Sequence, residues 1–185
     1  MTFNTAPWDR LDYKIKDHYL EQDDFDKLFD VIFEQPFPWT FTHKLTEQDA
    51  APHHFQFTHL LFSAAKLKNG GREEEFRSPY FDFISNIVLK NIEYKQLLRM
   101  KVNCYVQGDL LHFHPKHTDF KFPHQTALFY MNANDGCTQL YPKDREPVEI
   151  SSVANRMLIF DGLTHHNSTN CTTTPRRINI NINYV

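Results

Sequence analysis

The residues best suited to holding a metal ion gather in the second half of the sequence. His117-Thr118-Asp119 is the only His-x-Asp or His-x-Glu in the chain. In an extended segment residues i and i+2 point the same way, so the His117 imidazole and the Asp119 carboxylate can converge on one ion while Thr118 points away. His165 and His166 follow 48 and 49 residues after His117, just beyond the segment MLIFDGLT. Either histidine could complete the set. Two imidazoles and one carboxylate leave open coordination positions, as suits non-haem Fe(II) binding a bidentate cosubstrate and O2; a zinc site more often closes with a fourth protein ligand or keeps a single water. Eleven residues beyond His166, Arg177 opens RINININYV, in which Arg177, Asn179, Asn181 and Asn183 alternate with Ile178, Ile180 and Ile182. The polar face of such a strand lies in water or lines a polar cavity. If Arg177 is buried it calls for an anion, and its planar fork matches a carboxylate. A 2-keto acid for the metal and a distal carboxylate for the arginine together describe 2-oxoglutarate.

The elements that must position these groups are also legible. From Asp23 to Phe33 the residues Phe25, Leu28, Phe29, Ile32 and Phe33 form one apolar stripe, which predicts a helix stopped by Pro36 and Pro38. Ser78-Pro79 reads as an N-cap and first helical position, opening a second helix to about Lys90 that buries Phe81, Ile84 and Val88. Beyond Leu97 short β-prone runs alternate with turn residues: Lys101–Gln107, Thr126–Asn132, Thr138–Tyr141, Val148–Ser151, Met157–Phe160 and Arg177–Val185. Such a succession predicts a sandwich or barrel. Lys66–Glu75, with Gly70-Gly71 among charges, reads as an exposed loop.

The other histidines carry weaker signals. His53, His54 and His59 lie in an aromatic β-like stretch and are expected to be structural or solvated. His112 and His114 alternate with Phe113, which leaves surface positions and a cavity mouth both open. A formal net charge of -3 gives no reason to expect a polyanionic partner. Three widely spaced cysteines, Cys104, Cys137 and Cys171, suggest a reducing compartment. With no apolar leader or membrane-length apolar run, the expected location is cytoplasmic.

In order, the chain shows His-x-Asp, a strand ending Tyr130-Met131-Asn132, Gly136-Cys137-Thr138, Phe160-Asp161-Gly162 followed by histidine, and Arg177-x-x-x-Asn181. This ordered set resembles the Fe(II)/2-oxoglutarate-dependent dioxygenases, especially the prolyl-4-hydroxylase-like branch and short phage-encoded members with MNANDGCTQLYP- and RINININY-type segments. The likeness runs from about Lys101 to Val185 and more loosely through PFPWTF near the N-terminus. It implies His117, Asp119 and His166 as iron ligands and Arg177 as the partner of the distal carboxylate of 2-oxoglutarate. Tyr105, Tyr130 and Thr138 match positions that line the cosubstrate pocket. His166 is preferred over His165 because it stands six residues after Phe160. Where the family has a Gly-Gly pair, this chain has Asp135-Gly136.

The implied fold is mainly β with N-terminal helices, a double-stranded β-helix (cupin-like jelly roll). Residues 1–185 are read as one domain, with 1–96 a helical and β buttress and 97–185 the catalytic core. The implied activity is hydroxylation of a C–H bond in a protein, peptide or amino-acid substrate, with a prolyl residue as the leading candidate. Fe(II) is the implied metal, 2-oxoglutarate and O2 are cosubstrates, and ascorbate is a reductant. Asp119 fills the position that halogenating relatives leave for chloride. For a phage-encoded protein the compartment is the host cytoplasm. The rivals are a non-catalytic metal-binding jelly-roll module and an AlkB-like nucleic-acid demethylase. No cluster of Lys and Arg interleaved with aromatics favours the latter. Substrate choice is expected to fall to Lys66–Glu75, Asp109–Lys116 and Lys121–Gln125.

Overall fold

The computed structural model describes residues 13–43, 55–69 and 72–185. In chain order these form β1 (Tyr13–Lys16), α1 (Gln22–Phe29), β2 (Thr40–Thr42), β3 (Gln56–Asn69), β4 (Arg72–Arg77), α2 (Phe81–Val88), β5 (Leu97–Val106), β6 (Gln125–Tyr130), β7 (Cys137–Tyr141), β8 (Val148–Ser151), β9 (Arg156–Asp161), β10 (His165–Ser168) and β11 (Arg176–Tyr184). A large antiparallel sheet runs β1-β9-β6-β11-β5-β3-β2, with β4 paired to β3. A small sheet has the order β10-β7-β8 and is extended by bridges from Phe113 to Thr169 and from His117 to His166. No helix among the described residues is long and apolar enough to cross a membrane.

β11 shows how the alternation becomes architecture. Ile178, Ile180 and Ile182 are completely buried in one core with Leu28 of α1, Ile84 and Val88 of α2, and Met100 and Val102 of β5. The helices thus cover one face of the large sheet. A second core of Leu128, Tyr130, Leu140, Ile150, Leu158 and Phe160 joins residues of the two sheets. Each buried aliphatic side chain stabilises the fold by roughly 1.5–3 kcal/mol, so a one-residue slip of β11 would forfeit about three such terms. Register is therefore strongly specified. With it comes the placing of Arg177, Asn179, Asn181 and Asn183 on the opposite, interior face, where all four are buried.

The first predicted helix divides into α1 and a π-helical turn over Asp30–Glu34, which keeps Leu28 and Ile32 buried and stacks Phe29 on Phe33. The second helix begins at Phe81, not at Pro79. Ser78 is held to β3 by its N–H donating to the Leu61 carbonyl and its Oγ 2.7 Å from His59 Nε2, so Ser78-Pro79 makes a turn ahead of the helix. Lys66–Glu75 is not a loop: β3 and β4 pair up to Asn69 and Arg72, leaving only residues 70–71 outside the described structure. Charges on a strand at a sheet margin discourage further pairing and here resemble a loop in sequence. The large sheet also takes in β1, β2 and β3, so hydrogen bonding runs across position 96.

Candidate metal centre

His117 and His166 face each other across a backbone bridge in which each N–H donates to the other's carbonyl, at 3.0 and 2.9 Å. One ligand atom from each of His117, Asp119 and His166 lies within 4.8 Å of the others. His117 Nδ1 lies 3.1 Å from the Pro115 carbonyl and His166 Nδ1 3.1 Å from the Thr164 carbonyl. A carbonyl only accepts, so both Nδ1 atoms carry hydrogen, and Nε2 is the ring nitrogen of each that is left to face a metal. Asp119 Oδ1 accepts from Arg99 Nη2 at 2.5 Å, and Oδ2 accepts from the Asn181 and Asn183 amides at 3.1 and 2.9 Å.

Electrostatics sets the protonation states that ligation requires. Burial alone would raise the Asp119 pKa, but Arg99, His166 and the two asparagine amides outweigh it and hold the carboxyl well below its usual range. Burial pushes His166 down to about 4 against the pull of Asp119. A neutral imidazole and an ionised carboxylate result near pH 7. His165 points elsewhere: it is exposed and lines a cleft of about 720 Å3 with Tyr141, Lys143 and Asp161. That cleft is larger than the cavity at the cluster but contains none of the three clustered residues.

Arg177 is fully buried among hydroxyls. Its Nε donates to Ser152 Oγ at 2.7 Å, Nη1 to Ser168 Oγ at 2.6 Å and Nη2 to Thr138 Oγ1 at 3.2 Å. Tyr130 donates to the same Thr138 oxygen at 2.9 Å, and the guanidinium lies 5.3 Å from the Tyr105 ring centre and 5.7 Å from that of Tyr130. The four residues of the predicted cosubstrate pocket are thus brought together. Among the described residues no carboxylate pairs with Arg177. The Asp135-Gly136 departure is accommodated because one glycine suffices: a Cβ at Gly136 would stand 2.4 Å from the Asn170 carbonyl oxygen and 2.6 Å from Arg177 Cδ.

A cavity of about 50 Å3 joins the two groups, with His117, Asp119 and His166 in its lining alongside Tyr105, Thr138 and Ser168. His114 stacks on Tyr105 and also lines it, while His112 lines a neighbouring cavity of about 160 Å3. His59 is structural, its ring nitrogens 2.8 Å from the Pro38 carbonyl and 2.7 Å from Ser78 Oγ. His53 and His54 lie outside the described residues. The three cysteines are buried and free.

Several residues at the site have no role in the sequence reading: Gln56, Lys101, Asn103 and Ser168 line the cavity, Arg99 donates to Asp119, and Ser152 accepts from Arg177. For three of them a signal existed. In RMKVNCY the polar residues Arg99, Lys101, Asn103 and Tyr105 alternate with Met100, Val102 and Cys104, the same pattern that marks β11. Ser152 and Ser168 leave no such trace.

No protein-family model matches the sequence, and no curated protein matches it. Solved structures do match. An oxidoreductase of the 2OG-Fe(II) oxygenase family from Burkholderia pseudomallei superposes with a TM-score of 0.68 at 10% identity, covering 95% of this chain and 86% of that one. A prolyl hydroxylase from Trichoplax adhaerens, in complex with a hypoxia inducible factor oxygen degradation domain peptide fragment, gives 0.63 at 16% identity over 94% and 83%. A Pseudomonas putida prolyl-4-hydroxylase gives 0.57 at 12% identity over 94% and 92%. The fold is that of the 2OG-Fe(II) oxygenases.

Proposed function

We propose that the protein is an Fe(II)- and 2-oxoglutarate-dependent oxygenase that hydroxylates a C–H bond of a protein, peptide or amino-acid substrate, with a prolyl group the first candidate. The observation that carries this reading is Arg177, a cation buried without a carboxylate partner, whose hydroxyl partners Thr138 and Ser168 line the cavity shared by His117, Asp119 and His166. Burying an uncompensated guanidinium costs several kcal/mol, a cost that an anionic ligand offsets. The donor set fits the metal as well: two imidazoles, that of His166 kept neutral by burial, and a carboxylate kept ionised. The prolyl candidate is supported by the two prolyl hydroxylases among the similar structures.

When bound, Fe(II) and 2-oxoglutarate supply the reduction of O2, with one oxygen atom entering the substrate C–H bond and the other leaving in succinate as CO2 is lost. His117, Asp119 and His166 would hold the iron. Arg99, Asn181 and Asn183 keep the Asp119 carboxylate ionised and oriented. Arg177, steadied by Ser152, Ser168 and Thr138, would take the distal carboxylate. Tyr105 and Tyr130 flank the guanidinium and exclude water from it. Residues 1–185 would act as one domain, 1–96 buttressing 97–185, and ascorbate is the candidate reductant.

Anaerobic titration with Fe(II) and 2-oxoglutarate tests the reading through the visible charge-transfer band of a bidentate complex. No band would favour the non-catalytic metal-binding jelly roll. A band together with turnover on methylated nucleic acid would favour the demethylase.

A further inference from the structure

Lys101 is a second cation at the cavity and is not used by the chemistry above. It lines the cavity between Leu60 of β3 and Asn181 of β11, its cross-strand partners. No carboxylate lies within hydrogen-bonding distance of it among the described residues. The nearby acid, Asp119, already has both oxygens engaged by Arg99, Asn181 and Asn183. Burial and Arg99 push the Lys101 amine down to about 8, opposed by Asp119.

Lys101 and Arg177 stand at separate positions along the strand ladder. Lys101 pairs with Asn181 and Tyr105 with Arg177, so the two cations are four residues apart along the ladder. At about 3.3 Å per residue that is about 13 Å. The interior therefore offers two cationic receptors, one of which is assigned to the distal carboxylate.

The amide oxygens of Gln56, Asn103, Asn167 and Asn181 are buried, line this cavity and have no hydrogen-bond partner. Those of Asn181 and Asn167 are fixed as acceptors, because their nitrogens donate to Asp119 and to the His114 carbonyl. Asn103 likewise donates from nitrogen to Asn179 Oδ1. 2-Oxoglutarate as a dianion has only acceptor atoms and cannot satisfy these oxygens. A second organic occupant matched to this lining brings hydrogen-bond donors for the amide oxygens and an anion for Lys101.

With the oxygenase chemistry as premise, we infer that the second occupant is a free α-amino acid, its carboxylate on Lys101 and its ammonium on the amide oxygens of Gln56 and Asn103. An internal residue of a peptide presents neither charge.

The test uses the Fe(II)- and 2-oxoglutarate-loaded protein, with each of the twenty free L-amino acids, their N-acetyl amides and a proline-containing peptide as probes. At least one free amino acid should shift the charge-transfer band and, with O2, raise succinate release; its N-acetyl amide should do neither. Lys101→Met should raise the half-saturating amino-acid concentration at least tenfold and leave 2-oxoglutarate affinity unchanged. Lys101→Arg, which keeps the charge, should recover part of the loss. Equal stimulation by the blocked amino acid or the peptide, no response to any free amino acid, or a loss of 2-oxoglutarate affinity in Lys101→Met would each overturn the assignment. Absence of the band itself would instead overturn the oxygenase reading.

Discussion

Arg177→Met tests the cosubstrate site most directly, because methionine keeps an unbranched stem between Tyr105 and Tyr130 while deleting all five guanidinium donors. Truncating one side of a buried, hydrogen-bonded charge pair costs about 2–5 kcal/mol, so 2-oxoglutarate affinity should fall by roughly 30-fold to several thousand-fold. Without ligand the outcome should be quite different. Removing an uncompensated buried cation relieves a desolvation cost of several kcal/mol, while Ser152, Ser168 and Thr138 each lose a donor at about 1 kcal/mol. Stability of the ligand-free variant should therefore stay within about 2 kcal/mol of wild type on those same terms. Calorimetric titration with 2-oxoglutarate under Mn(II), paired with unfolding curves, reads both effects. At 100 times Kd the cosubstrate should stabilise wild type by about 2.7 kcal/mol and leave the variant almost unchanged. Arg176→Met is the control. Arg176 faces the helical layer, donating to the Phe33 carbonyl at 3.1 Å and lying 4.7 Å from the Phe33 ring centre. Its loss should lower stability by about 1–2 kcal/mol and spare 2-oxoglutarate binding. Wild-type affinity in Arg177→Met would refute the reasoning.

Three further outcomes follow from the same geometry. His117→Ala and Asp119→Ala should each lose most Fe(II) affinity with the circular dichroism spectrum preserved; unchanged metal binding in either would remove that residue from the centre. His166→Ala should abolish succinate formation and His165→Ala should not, and the reverse result would transfer the ligand role to His165. For the metal-free protein, His166 has a folded pKa of about 4 against 6.5 for the ordinary group, so the unfolded chain binds the extra proton between those values. Stability should be fully present above about pH 6.5 and fall by about 3 kcal/mol as pH drops to 4. Asp119, whose pKa is lowered, adds to the loss in more acid solution. Denaturant titrations at pH 7, 5.5 and 4 check this, and a flat profile would mean that His166 is not held neutral by burial.

Features carried by neighbouring residues were legible in the sequence. Strand alternation in RINININYV needs no tertiary information, because a period of two already assigns Arg177, Asn179, Asn181 and Asn183 to one face. The same is true of the His117 and Asp119 pair, and of the apolar stripe that became α1 and its π turn. Edge strands were the weak point. β4 was hidden by its charges, and β1 and β2, four and three residues long, draw their stability from partners distant in sequence.

Periodicity says which residues share a face but not what covers that face. Only the packing of the small sheet over the large one decided that the polar side of β11 lines a cavity and not solvent, burying Arg177 completely. It also set His166, and not His165, beside His117 and Asp119, since their β7 partners, Tyr141 and Leu140, point to opposite sides of the small sheet. The setting of Asp119 was decided there too. Its partners Arg99, Asn181 and Asn183 lie 20, 62 and 64 residues away, and their meeting depends on the pairing of β5 with β11. A local pattern could not report that, because the interactions that hold the carboxylate ionised exist only once distant strands have closed around it.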